Sequence, residues 1–367
     1  MSRRYILPLL ILLLISIRSV LAVQPLQPNP LRQEDQASSP DSPLVAPLPR
    51  PEQALGKGGE RRFRILMLLW RGETEVEAGF KSYLEERHLP FDLIMRSAGQ
   101  DPTRIPALVA EARQLQPDLV YTWGTSLTLG VVGPYDQVDP ARYLTEVPVV
   151  FTMVAYPVES RIVPAFTSSG RRVTGTTHTV PVEAQIKAIR AYRPMKRLAV
   201  LYNPTEPNSV INIGELRRAA RDLDFELLAE PVPLNSEGRP DPEVLPALMD
   251  QLAVREPQFL YLGPDTFIGE HRQTLAGEAL RHHLPVFAAT ERPIFDSAIT
   301  LGLVAPYRHL GRFTAFKVEQ ILLGGQAPQT IPIETLHRFT YFVKLPVARQ
   351  LNLYPPLAIL NYAEVLE

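Results

Sequence analysis

Lys196-Arg197-Leu198-Ala199-Val200-Leu201-Tyr202-Asn203-Pro204-Thr205-Glu206-Pro207-Asn208-Ser209 decides the fold. Residues 198–202 form an unbroken apolar run, as in a strand covered on both faces of a parallel sheet. The two prolines end it, because proline cannot donate to a ladder. Asn208 or Ser209 then offers a side-chain oxygen to cap a helix over 210–223. Strand, stiff turn and capped helix make one βα unit.

The same unit repeats on both sides of this stretch. Downstream, strands are expected at 226–232, 259–262 and 285–289, with helices at 244–252 and 273–281. Upstream, strands at 65–70, 91–95, 119–123 and 147–154 alternate with amphipathic helices at 73–87 and 105–115. Two successive sets predict an α/β protein of two doubly wound parallel-sheet lobes joined by a hinge. A strand at 300–305 and a helix at 310–323 can complete either sheet.

Composition excludes several classes. The chain has 367 residues, 45% hydrophobic and 21% charged, with a net charge of -1 from 38 basic and 39 acidic residues. That balance supplies no basic field for nucleic acid. There is no cysteine, hence no disulfide, Cys-zinc site, thiol nucleophile or lipidated N-terminal cysteine. The histidines are 88, 178, 271, 282, 283, 309 and 337, without an H-x-x-x-H spacing, so no metal site is expected. No Walker A, G-x-G-x-x-G or G-x-S-x-G motif is present, so no cofactor and no catalytic residue is assigned.

Arg3 and Arg4 precede an apolar run over 5–17 and Val20-Leu21-Ala22, the pattern of a secretory signal over 1–22. The run falls short of the ~20 residues that span a bilayer. Export to the periplasm is expected, with an uncleaved N-terminal anchor as the other reading. Residues 23–61, dense in proline from Pro25 to Pro51, read as a disordered linker.

In doubly wound sheets ligands sit beyond the carboxyl ends of the strands. The loops there hold the candidates. Thr125 and Ser126, after Gly124, open a helix whose free N–H groups can take a carboxylate or phosphate, or simply cap it. Asn203, Glu206, Asn208 and Ser209 form a second loop. Asp265, beside Thr266, and Glu291 end two further strands. They can hold an amine, act as an acid/base pair or cap helices. Trp70, Trp123, Tyr156 and Tyr307 offer aromatic surface, with core packing as the plainer use.

Val173-Thr174-Gly175-Thr176-Thr177, Pro181-Val182-Glu183-Ala184-Gln185 and the stretch 196–209 together resemble the ABC-transporter substrate-binding protein family of the tryptophan/tyrosine-binding type. Thr122-x-Gly124-Thr125, Leu310-Gly311 and Ile321-Leu322-x-Gly324 extend the resemblance over about 62–353. It implies the type I periplasmic-binding-protein fold. Lobe one would be 62–175 plus 293–327, and lobe two 176–292 plus 328–367. By position it implies ligand contacts at Thr125, Ser126, Tyr156, Asn203, Glu206, Asn208, Ser209, Asp265, Thr266 and Glu291. Trp123 stands where family members often have a small residue, and Asp265-Thr266 where they often have Asp-Asn.

The resemblance further implies a monomeric binding component, not an enzyme. It would capture a small polar solute, an aromatic amino acid among the options, and dock on an ABC permease in the inner membrane. A sensor of the same fold for a membrane signalling system is the alternative.

Overall fold

The computed structural model describes residues 62–367; the signal and linker expectations lie outside them. The elements run β1 (Phe63–Leu69), α1 (Glu75–Glu86), β2 (Phe91–Ser97), α2 (Ile105–Leu115), β3 (Leu119–Trp123), α3 (Thr125–Val132), β4 (Val149–Thr152) and β5 (Val173–Gly175). They continue α4 (Val182–Tyr192), β6 (Arg197–Tyr202), α5 (Pro207–Asp222), β7 (Glu226–Pro231), α6 (Leu245–Val254), β8 (Phe259–Leu262), α7 (Thr266–Glu270), α8 (Arg272–Arg281) and β9 (Val286–Ala288). The remainder is α9 (Arg292–Asp296), β10 (Leu301–Val304), α10 (Tyr307–Leu322), β11 (Thr340–Lys344), α11 (Leu345–Gln350), α12 (Leu357–Leu360) and β12 (Glu364–Leu366). No helix among the described residues is long and apolar enough to cross a membrane.

Two sheets form. The first has the order β2-β1-β3-β4-β5, all parallel. The second has the order β12-β11-β10-β9-β8-β6-β7, antiparallel only where β10 meets β11. Within it, β7-β6-β8-β9-β10 repeats the order of the first sheet, so the doubling expected from the sequence is a doubling of topology.

Local chemistry explains the starts. Thr74 and Glu77 form a reciprocal capping box at α1. Pro207 takes the first position of α5, where an N–H is not needed. The strands read as continuous apolar runs because both faces are covered. Ile65, Met67 and Tyr121 pack under α1 and α10, while Leu66, Leu68 and Val120 pack under α2 and α3. In the second sheet Leu198, Val200 and Tyr261 pack with α4 and α5, while Ala199, Leu201 and Leu260 pack with α6 and α8.

The lobe ranges implied by the resemblance need correction. Residues 293–327 do not go to lobe one as a block: β10 pairs with β9 and β11 in the second sheet, and only α10 packs on the first lobe. The reason is topological, since β10 is the second sheet's counterpart of β5. Conversely, Ile331, Ile333 and Leu336, expected in lobe two, are buried in the first lobe's cores. The chain crosses between lobes three times, near 176–181, at 305–306 and before Thr340. The first crossing runs beside the lobe-one segment that leads into the third: Thr177 N donates to Glu334 O at 2.9 Å, and Lys317 Nζ of α10 donates to Glu334 Oε2 at 2.7 Å.

The tightest contact in lobe one joins α1 to α10. A Cβ added at Gly311 would lie 1.8 Å from Val76 O, and one at Gly79 would lie 2.0 Å from Arg308 O. The two helices cross backbone to backbone, which only glycine permits.

Candidate functional site

A cavity of about 60 Å³ lies between the lobes. Some wall residues follow β4, β5, β9 and β10, but its walls come mainly from the loops after β1 and β3 in the first sheet and after β6 and β8 in the second. In each sheet these two strands flank the point where strand order reverses, the place where such sheets bind ligands. The space is less than half the ~150 Å³ cavity that accommodates benzene in an engineered protein.

Nine of the expected residues line it: Trp70, Trp123, Thr125, Ser126, Glu206, Asn208, Asp265, Thr266 and Tyr307. The other four stand apart from it. Asn203 and Ser209 are spent on Asp265, whose Oδ2 accepts from Asn203 N at 2.7 Å and Ser209 Oγ at 2.5 Å. Tyr156 OH accepts from Asn212 Nδ2 on α5 at 2.7 Å, a link from the β4 side of lobe one to lobe two. Glu291 Oε2 accepts from Tyr307 N at 2.7 Å, and burial pushes its carboxyl up to about 7.

The lobe-two wall is internally satisfied. Asp265 also caps α7, accepting from Ile268 N at 2.9 Å. Glu206 accepts from Thr266 N at 2.8 Å, Thr266 Oγ1 at 2.7 Å and Asn208 Nδ2 at 3.0 Å. Asn208 Nδ2 also reaches Pro264 O at 2.5 Å. Burial raises both carboxyls above the ordinary range, and the Asp265 charge adds to the rise at Glu206.

The lobe-one wall differs. The Arg71 guanidinium stacks on the Trp123 ring at 4.7 Å, and its Nη1 lies 3.9 Å from Glu270 Oε1 on lobe two. Arg292 Nη1 approaches the same Glu270 oxygen at 3.2 Å. Arg71 Nε, Trp123 Nε1 and His178 Nδ1 are buried without a hydrogen-bond partner in the protein. Burial, reinforced by the Arg71 charge, lowers the His178 pKa to about 4, so the imidazole is neutral at pH 7. Gly124, at φ 90, turns the chain into α3, which has no side-chain cap.

Arg71, His178, Thr290 and Arg292 line the cavity but are absent from the residues singled out by sequence. For Arg71 the signal is present: an arginine between Trp70 and Gly72 at a strand's carboxyl end. Among the described residues, Asp250, Glu278 and His282 could hold a metal, but Arg281 already bridges Asp250 at 2.5 Å and Glu278 at 2.6 Å.

Comparison with known proteins bears on the family and the fold. A tyrosine-binding protein of Clostridioides difficile (strain R20291) is 24% identical over 192 residues, 52% of this chain; the match spans about half, 53%, of that relative's length. A conserved domain protein from Vibrio cholerae O1 biovar El Tor superposes with TM-score 0.73 at 19% identity, covering 84% of this chain and 100% of that one. A Streptococcus pneumoniae ABC domain in complex with L-Trp gives 0.72 at 17% identity, with the same coverages. Residues 96–366 match the family described as ABC transporter substrate binding protein, and the chain belongs to that family.

Proposed function

We propose that this protein captures a small carboxylate-bearing solute between its lobes in the periplasm and presents the closed form to an ABC permease of the inner membrane. The observation that supports it best is the cavity at the switch points of both sheets, walled by polar groups from each lobe. We take lobe one as 62–175 with 307–339, and lobe two as 182–304 with 340–367. The contacts assigned to the ligand are Trp70, Trp123, Thr125, Ser126, Glu206, Asn208 and Thr266, with Asp265 as their support. The relatives named for tyrosine and L-Trp make aromatic amino acids the first solutes to test.

The cavity in this state is too small for such a ligand, so entry requires the lobes to part. The ligand's contacts with both walls then favour closure. At a thousandfold excess over Kd, a ligand adds about 4 kcal/mol to stability. Tyrosine, tryptophan or a related aromatic acid should therefore raise Tm by several degrees and shift solution scattering toward the compact form. If a broad panel of amino acids and organic acids produces neither change, solute capture is wrong.

A further inference from the structure

We propose that Arg71, Trp123 and His178 form an anion subsite that reads the ligand's carboxylate, and that a ligand amine is dispensable. The inference deepens the solute-binding reading and rests on it.

A binding surface shows its ligand's chemistry in the polar atoms the protein leaves unpaired. Buried donors and acceptors are nearly always paired. Here three unpaired buried nitrogens belong to residues that line one cavity: Arg71 Nε, Trp123 Nε1 and His178 Nδ1. Trp123 is 6% exposed, His178 5%, and the Arg71 side chain 13%. The Arg and Trp atoms can only donate. The neutral imidazole can carry its proton on either nitrogen. At the carboxyl end of β3, beside Trp123, the uncapped start of α3 adds backbone N–H groups at Thr125 and Ser126. The Arg, Trp and backbone groups call for an acceptor, His178 can supply a further donor in one tautomer, and a charged acceptor answers Arg71 best.

The carboxylates opposite offer no matching welcome to an amine. Both oxygens of Glu206 and both of Asp265 already accept hydrogen bonds from within lobe two. Glu270, which lies 3.9 Å from Arg71, is shared with Arg292. Trp123 supplies the flat face that holds the guanidinium plane in place, so the stack positions Arg71 before any ligand arrives.

The test compares L-tyrosine, its deaminated analogue 3-(4-hydroxyphenyl)propanoate, its decarboxylated analogue tyramine, and the simple carboxylates benzoate and acetate. Binding is followed by calorimetry and by tryptophan fluorescence. The chain's two tryptophans, Trp70 and Trp123, both line the cavity, so the signal comes from the site itself. At least one carboxylate should bind, the deaminated analogue as well as tyrosine if the aromatic series fits, and tyramine at least ~10-fold more weakly. Arg71→Gln and Trp123→Phe should each weaken carboxylate binding ~10-fold or more. Trp123→Phe keeps an aromatic ring, so it separates loss of the indole N–H from loss of packing. Tyramine binding as tightly as the carboxylates would overturn the subsite while leaving solute capture standing. Unchanged affinities in folded Arg71→Gln and Trp123→Phe proteins would do the same. Binding by none of the probes would overturn both.

Discussion

On the lobe-two wall Asp265 takes hydrogen bonds from Asn203 N, Ser209 Oγ and Ile268 N, and Glu206 is held by Thr266 and Asn208. Across the cavity Arg71 Nε, Trp123 Nε1 and His178 Nδ1 have no hydrogen-bond partner in the protein. One wall is built to keep its shape, and the other keeps chemistry in reserve. A residue's place at a strand end therefore does not tell whether it meets a ligand or braces a neighbour. What tells is whether its polar atoms are already engaged.

The contrast can be broken first at Asp265. Asp265→Ala leaves two buried backbone N–H groups and the Ser209 hydroxyl unsatisfied, at a cost of about 3 kcal/mol or more. Tm in thermal unfolding should fall by roughly 6 °C or more; a smaller drop would mean the lobe-two network is not a brace.

His178 tests the reserve wall through pH. Its folded pKa, about 4, lies below the ordinary 6.5. The unfolded chain therefore binds a proton below pH 6.5 that the folded one refuses until about pH 4. Stability is lost as pH falls through that window, by roughly 2 kcal/mol between pH 6.5 and 5. Glu291, raised to about 7 from 4.5, works the other way and gains stability over the same fall. The difference between the wild type and His178→Gln isolates the histidine. Denaturant titrations at pH 6.5 and 5 should show the variant losing roughly 2 kcal/mol less. Equal losses would place the imidazole in contact with solvent.

The smallest effect is expected from Trp123→Phe in the ligand-free protein. Removing an unpaired buried N–H offsets much of the lost ring area, so stability should stay within about 1 kcal/mol. A loss as large as that of Asp265→Ala would show that Trp123 is a packing residue like those beneath it.

Much of the fold was legible because parallel strands covered on both faces are unbroken apolar runs. Residues 65–70, 119–123, 198–202 and 259–262 all matched strands to within a residue or two. β5, with three residues, is too short to read as a strand, and α4, though amphipathic with Ile186 and Ile189 on its buried side, is not among the expected helices. Strand 301–304 was visible as a strand, but its sheet was not, because a run of Leu and Val carries no mark of its neighbours. At the site, the residues on switch-point loops were readable from strand ends alone. Asn203 and Ser209 were not separable from Asn208, since all three are small and polar between the end of β6 and the first turn of α5, and only their hydrogen-bond partners distinguish them. Arg71 was passed over because a single cation beside a strand is ordinary until its burial is known.

The glycine contact between α1 and α10 has a mechanical consequence. With Gly79 and Gly311 locking the two helices together, α10 is a rigid arm of lobe one from its first turn, and Tyr307 in that turn reaches the cavity. The second crossing is then reduced to Ala305 and Pro306, two residues between β10 and that arm. With φ fixed at Pro306, little torsional slack is left there. Any swing of one lobe against the other must be geared through this short axle, with the buried, hydrogen-bonded Thr176 and Thr177 of the first crossing moving beside it.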